Sequence, residues 1–278
     1  MNAATRKLYY SIPPAWRFAV RRLYYLPLDT WESLTGQRDG LMPPRGLIFT
    51  GGGDFRKTGE MLAGYFKEYC SLLPHYQVLD IGSGMGRIAI PLTRFLNEKG
   101  NYEGFDVVQR GVDWCTKNIT ARYPNFNFRY IPLDNDLYRA GGDSAVHFTF
   151  PYADESFDLC VVNSVFTHMV PEEVENYFTE VRRVLKPGGV CYATFFLFDG
   201  KTAFPKGFDF PFDHGHYRLM DEQVKSANVA FEEGYLIKEL VGKNGFSLRH
   251  LFYGSWRGLP PKGCKEFQDI TIFEKLRN

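Results

Sequence analysis

The sequence predicts an α/β domain, doubly wound about a mostly parallel sheet, with a C-terminal antiparallel hairpin and a helical N-terminal extension. Three observations carry this. From residue 60 onward, helix-period and strand-like runs alternate, the pattern of a parallel sheet covered on both faces. One strand-like run, Gln77–Ile81, ends in a glycine-rich turn that leads into a helical pattern. The last two strand-like runs are joined by a Gly/Pro-rich loop too short for a crossover helix, so they should pair antiparallel.

The elements follow in order. Before Asp29 the chain holds Arg6, Lys7, Arg17, Arg21 and Arg22 and no acid, interleaved with Tyr9, Tyr10, Trp16, Phe18, Tyr24 and Tyr25. Ala15–Leu26 is expected to form a short basic amphipathic helix that packs its aromatic face on the main domain. A helix lying on a membrane surface or against a partner is the alternative. Met61–Leu73 reads as a helix, apolar at Leu62, Tyr65, Phe66 and Tyr69, with Pro74 after it. Strand Gln77–Ile81, helix Arg87–Lys99, strand Tyr102–Phe105, helix Gly111–Tyr123 and strand Phe126–Ile131 come next. Phe157–Val162 is a continuous apolar strand. Pro171–Leu185 is a helix with proline in its first turn and Lys186-Pro187-Gly188-Gly189 as its stop signal. Val190–Leu197, Phe246–Tyr253 and Asp269–Glu274 complete the strands. Pro132–Tyr152 and Phe198–Leu219 exceed ordinary connection lengths, and such loops in compact domains are usually functional.

Bulk properties exclude several classes. Lysine plus arginine total 33 against 32 acids, a net charge of +1, so no global argument favours nucleic-acid binding. The five cysteines, Cys70, Cys115, Cys160, Cys191 and Cys264, are widely spaced and form no C-x-x-C pair, so neither a disulfide framework nor a zinc knuckle is indicated. No apolar run is long enough to span a bilayer, and Pro13, Pro14 and Arg17 break the pattern of a signal peptide. A reducing, cytoplasmic location is expected.

The strongest chemical signal is Val78-Leu79-Asp80-Ile81-Gly82-Ser83-Gly84-Met85-Gly86-Arg87: an apolar strand carrying an acid near its end, a glycine turn and a helix start. The glycines let the backbone turn sharply and a ligand approach closely. The free N–H groups of a helix start suit a carboxylate. A nicotinamide fingerprint would place a third glycine at position 87, which is arginine. Asp80 would repel a bound pyrophosphate but attract an ammonium or a sulfonium, which points to a cationic adenosyl cofactor. Asp106 lies 20 residues after Gly86, at the end of the second strand, where a carboxylate can accept both ribose hydroxyls.

These motifs resemble those of class I S-adenosylmethionine-dependent methyltransferases. Val78–Arg87 is similar to the family's first motif, and Gly104-Phe105-Asp106 to its second acidic position. Phe150–Asp158 resembles the approach to the fourth strand, Asn163–His168 the loop after it, and Val184–Gly189 the turn before the fifth. The resemblance covers about residues 60–200, with the final hairpin matched loosely. It implies a seven-stranded sheet whose last strand runs antiparallel, and S-adenosyl-L-methionine as cofactor. It further implies that Asp80, Gly82, Gly84 and Gly86 hold the methionine part and Asp106 the ribose, with Ser83, Met85, Arg87 and Val107 also binding the cofactor. Leu133, Asp134 and Asn135 would flank the adenine, with Asn163 at the end of the fourth strand. The insertion Tyr138–Phe148 departs from the family pattern and leaves the adenine contact open.

The expected activity is methyl transfer to a small-molecule or glycan acceptor, on oxygen. Nitrogen, carbon or protein acceptors are the alternatives, and a non-catalytic adenosyl-binding scaffold is an alternative of another class. The Asn/Asp-Pro-Pro-aromatic signature of adenine or amide methylation is replaced by Asn163-Ser164-Val165-Phe166, which lowers the case for nucleic-acid bases. Among His147, His168, His214 and His216, His168 is the candidate acid/base, just beyond the strand that ends near Asn163. Asp213-His214-Gly215-His216 reads as a solvated loop rather than a metal site. Asp158, at a strand start, is expected to be architectural. Gly51-Gly52-Gly53-Asp54 reads as a loop capping the cofactor or as a plain turn. Phe204, Phe208, Phe210, Phe212 and Tyr217 would either wall an acceptor pocket or anchor their loop. In domain terms, 1–58 is an N-terminal extension capping the pocket, 59–278 the catalytic domain, and 198–245 an acceptor-side insertion or lid.

Overall fold

In a computed structural model, which describes residues 12–49, 51, 53–135 and 141–277, strand-forming runs line up as one seven-stranded sheet. Arg6, Lys7, Tyr9, Tyr10, Gly52 and Tyr138, named above, lie outside the described residues. The strands are β1 (Gln77–Ile81), β2 (Asn101–Asp106), β3 (Phe126–Tyr130), β4 (Phe157–Val162), β5 (Leu185–Phe195), and the hairpin pair Phe246–Phe252 and Asp269–Lys275. In spatial order they run Phe246–Phe252, Asp269–Lys275, β5, β4, β1, β2, β3. All neighbours among β1 to β5 pair parallel, while Asp269–Lys275 runs antiparallel to both of its neighbours. The order reverses between β1 and β4, and the crevice beyond their carboxyl ends is where ligands bind in sheets of this kind.

Each face of the sheet carries its own core. Helix α1 (Pro14–Leu34) lies outside both. Helices α2 (Phe55–Tyr69), α3 (Ala89–Leu92) and α4 (Gln109–Cys115, running on as a π-helical turn to Thr120) cover one face through Phe66, Leu62, Leu92, Cys115 and Ile119. Helix α5 (Pro171–Val184) covers the other through Val174, Phe178 and Val181. Phe178 stacks between Phe166 at 5.5 Å and Phe273 at 5.1 Å.

The expected helix Arg87–Lys99 shrinks to four α-helical residues flanked by turns. Its apolar period was read correctly, since Ile88, Leu92 and Leu96 are buried. The hydrogen-bond ladder is what fails: Pro91 has no N–H to offer the Arg87 carbonyl. Strand β5 starts at Leu185, earlier than the expected Val190, because the chain re-enters the sheet directly after α5.

Segment 198–245 holds two distinct parts. The first builds a small second sheet from β6 (Leu197–Phe198), β7 (Phe212–Asp213), β8 (Tyr217–Leu219) and β9 (Val229–Glu232), in the order β6-β9-β8-β7. Its aromatic cluster of Phe196, Phe198, Phe204, Phe208, Phe210 and Trp256 closes on itself, so Phe204, Phe208 and Phe210 anchor their loop. The second part is helix α5's neighbour α6 (Glu233–Tyr235, continued as a π-helical stretch to Gly242), which buries Leu236, Leu240 and Val241 in the main core. The final hairpin strands are β10 (Phe246–Phe252) and β11 (Asp269–Lys275).

The N-terminal helix corrects one expectation. It runs the full length of α1 rather than Ala15–Leu26, with Pro27 inside it, and its aromatic face is not packed on the domain. Trp16, Leu23, Tyr24 and Trp31 are exposed, while the side turned inward is largely charged. Asp29 accepts from the backbone N–H of Arg45 at 2.7 Å and Gly46 at 2.9 Å, and Glu32 pairs with Arg45 at 2.8 Å. Of the aromatics, Phe18 packs on Phe49 at 6.0 Å.

Candidate functional site

Strand β1 delivers Asp80 to the switch point, and the turn after it bends back under β2: the N–H groups of Gly82 and Ser83 both donate to the Phe105 carbonyl. Gly82, Gly84 and Gly86 have φ of 79°, 57° and 74°, a region costly to side chains. At Gly82 a Cβ would also stand 2.4 Å from Val165 Cγ2. The glycines therefore fix how this turn is shaped and how closely the loop after β4 approaches it.

The turn walls a cavity of about 260 Å³ at the carboxyl ends of β1, β2 and β4. Of the residues singled out from the sequence, Asp80, Gly82, Ser83, Gly84, Arg87, Asp106, Val107, Asp134, Asn135, Asn163 and His168 line it. Met85 and Gly86 do not: Met85 is fully buried in the core, and Gly86 faces Ile119 and Cys115. Their place is packing beneath the turn.

Two buried acids dominate the electrostatics. Asp80 is 1% exposed, and the Tyr102 hydroxyl donates to its Oδ2. Burial pushes its carboxyl up to about 7, against the lowering effect of Tyr102 and with some help from the charge of Asp106. Its Oδ1 and the Ser83 hydroxyl are buried with no hydrogen-bond partner among the described residues. Asp106 accepts from Gly84 N–H at 2.8 Å through Oδ2 and from Val108 N–H at 2.8 Å through Oδ1. Burial pushes it up to about 6, despite those two donors. A carboxylate oxygen has two lone pairs, so Asp106 keeps acceptor capacity for hydroxyls. Two buried acids and an orphaned acceptor on one wall fit a ligand that brings positive charge and donors. The residues present thus fit an amino-acid-bearing cationic nucleoside.

The long connection after β3 folds back on itself. Asp134 N–H donates to the Asp143 carbonyl, Asp143 N–H to the Pro132 carbonyl, and Asp134 Oδ1 accepts from Gly141 N–H at 2.8 Å. This brings Ala145 beside Leu133 on the cavity wall, giving an apolar flank near Val107.

On the opposite wall Ser164 has φ of 57° and donates its hydroxyl to Gln268 Oε1 at 2.9 Å. His168 Nδ1 lies 2.8 Å from the Ser226 carbonyl. A carbonyl only accepts, so Nδ1 carries a proton. Glu173 and Tyr177 of α5 also line the cavity.

Sequence reasoning missed Phe49, Ser164, Glu173, Tyr177 and Gln268 as wall residues. Gln268 stands just before β11, far along the chain from every motif. Gly51, at φ of 62°, lines the cavity, while Asp54 caps α2 by accepting from the N–H groups of Arg56 and Lys57. The remaining candidates are occupied elsewhere. Asp158 accepts from Gln77 N–H and pairs with Lys186, both at 2.8 Å. Asp213 pairs with Arg218 at 2.6 Å, and His214 stacks on Tyr217.

Comparison with known proteins agrees with this geometry. A family model described as a methyltransferase domain matches residues 79–193. The arsenite methyltransferase of Mus musculus is 30% identical over 127 residues, which is 43% of this chain and 30% of that enzyme. A tRNA N(3)-cytidine methyltransferase of Gallus gallus is 24% identical over 133 residues, 45% of this chain and 31% of that enzyme. The chain thus spans about a third of the length of these curated relatives. The crystal structure of Burkholderia thailandensis 1,6-didemethyltoxoflavin-N1-methyltransferase, with its substrate and S-adenosylhomocysteine bound, superposes with a TM-score of 0.51 at 15% identity. That match covers 96% of this chain and 92% of the other, a likeness of fold. Residues 79–193 are therefore a methyltransferase domain, and the chain has the Rossmann-like fold of the class I S-adenosylmethionine-dependent methyltransferases.

Proposed function

We propose that this chain transfers a methyl group from S-adenosylmethionine to a hydroxyl of a small-molecule or glycan acceptor. The observation that carries the reading is one cavity lined by Asp80, whose Oδ1 has no hydrogen-bond partner among the described residues, by Asp106 and by His168. When bound, the cofactor supplies an electrophilic methyl on a sulfonium, which leaves as a neutral thioether. Asp80, Gly82, Ser83 and Gly84 would hold its amino-acid part, Asp106 its ribose, and Leu133, Val107, Asp134 and Asn135 the side of its base. Asn163 closes the end of β4.

The chain's own contribution is alignment, exclusion of water and proton handling. With its Nδ1–H on the Ser226 carbonyl, a neutral His168 would act on a hydroxyl acceptor through Nε2. Acceptors named for the relatives range from arsenite to a tRNA cytidine, so kinship does not select one. The cavity of about 260 Å³ and the balanced net charge of +1 favour a small molecule over a polynucleotide.

The test is transfer of labelled methyl to a panel of hydroxyl, amine and thiol compounds, with His168→Gln alongside. The expected result is turnover on a hydroxyl compound that falls about 10²–10⁴-fold in kcat in the variant, with cofactor affinity unchanged. Full activity in His168→Gln would remove the base from the account, and turnover restricted to amines would remove the hydroxyl acceptor.

A further inference from the structure

Helix α1 is amphipathic in the inverted sense: its charged side faces the protein and its apolar side faces outward. Trp16, Val20, Leu23, Tyr24, Trp31 and Leu34 fall within about 100° of one another in projection, one stripe along the helix. They are exposed by 67%, 64%, 73%, 76%, 59% and 82% respectively. An apolar face of this extent is more than the scattered exposed side chains of an ordinary surface.

The charge around the stripe says what covers it. The helix has two acids, Asp29 and Glu32, and both are held by the body of the protein through Arg45 and Gly46. Its cations are Arg17, Arg21 and Arg22; in projection Arg17 falls at one edge of the apolar stripe, beside Tyr24, while Arg21 and Arg22 fall on the polar side of the helix. Arg110 joins them from α4, with its guanidinium 3.4 Å over the Phe18 ring. Its Nε and Nη2 are buried behind the helix, with no hydrogen-bond partner among the described residues. The result is an apolar stripe with tryptophans toward both ends and no acid on it, backed by a polar face rich in arginine. That is the pattern of a helix lying in a lipid headgroup layer. No described helix is long and apolar enough to cross a membrane.

We propose that this face docks on an anionic phospholipid surface, with α1 lying in the plane of the headgroups. Phe18 on α1 packs on Phe49, and Phe49 lines the cavity, so docking sets the cavity wall beside the membrane surface.

The test is flotation of the full chain with vesicles of phosphatidylcholine alone and of phosphatidylcholine mixed with phosphatidylglycerol. The expected result is binding to the mixed vesicles about tenfold or more tighter than to the neutral ones, with a blue shift of tryptophan emission. Leu23→Glu should lose that binding about tenfold or more while its melting temperature stays at the wild-type value. Arg22→Glu should reduce the preference for anionic vesicles. Failure to float with the mixed vesicles would overturn the proposal, as would flotation undiminished by Leu23→Glu. A dimer that Leu23→Glu dissolves, with no vesicle binding, would also overturn it and assign the face to a second copy of the chain. Binding is read without turnover, so failure of the acceptor reading leaves this test intact.

Discussion

Asp80→Asn separates binding from stability in opposite directions. The folded protein raises this carboxyl from 3.8 to about 7, chiefly through burial. Keeping it ionised at pH 8 therefore costs the unliganded fold about 4 kcal/mol at most, from roughly three pKa units. A raised carboxyl pKa means that the folded state binds more protons than the unfolded chain between about pH 4 and pH 7. Its contribution to stability is accordingly lost as pH rises through that window. Asparagine is neutral and close in shape, and its amide oxygen still accepts from Tyr102. Its amide N–H groups would take the place of an oxygen that has no partner among the described residues, an offset of about 1–3 kcal/mol. The net gain at pH 8 is about 1–3 kcal/mol, or a melting temperature higher by about 3–8 °C. The gain should vanish toward pH 5. Affinity for S-adenosylmethionine should fall about 10–150-fold at pH 8, the worth of one hydrogen bond to a charged group. Thermal denaturation across pH and calorimetric titration measure both. A variant that melts below the wild type at pH 8 and binds the cofactor equally well would refute the reasoning.

Other outcomes follow from the same geometry. With carboxyls raised to about 7 at Asp80 and about 6 at Asp106, wild-type affinity for the cationic cofactor should weaken as pH falls below 7, by up to about tenfold per unit. A flat profile from pH 8 to 5.5, read by calorimetry, would contradict that. Gly82→Ala should cost about 1–3 kcal/mol in denaturant unfolding, because φ is 79° and Val165 stands 2.4 Å from the added carbon. Phe178→Ala should cost about 3–5 kcal/mol, since the ring is fully buried between two others, and should leave cofactor affinity nearly unchanged in the folded fraction.

The parts of the fold that were legible are those where one local signal decides. Burial on both faces makes Phe157–Val162 a continuous apolar run, and a short Gly/Pro loop forces β10 and β11 to pair antiparallel. The Asp80–Gly86 turn was legible because charge and backbone freedom point the same way. Arg87–Lys99 misled because its apolar period reports burial, while Pro91 breaks the backbone ladder that makes a helix. The orientation of α1 was missed because periodicity reveals an apolar face without saying whether the protein or something else covers it. Gln268 was out of reach for a different reason. It meets Ser164 only through the pairing of β11 with β5, a contact that joins residues 104 positions apart.

The most direct test of the central claim is a calorimetric comparison of S-adenosylmethionine, S-adenosylhomocysteine and NADH on the purified chain at pH 8. Two buried acids beside a phosphate-intolerant turn predict that both adenosyl ligands bind and that the pyrophosphate-bearing nucleotide does not. Binding of NADH as tight as that of S-adenosylmethionine would contradict it.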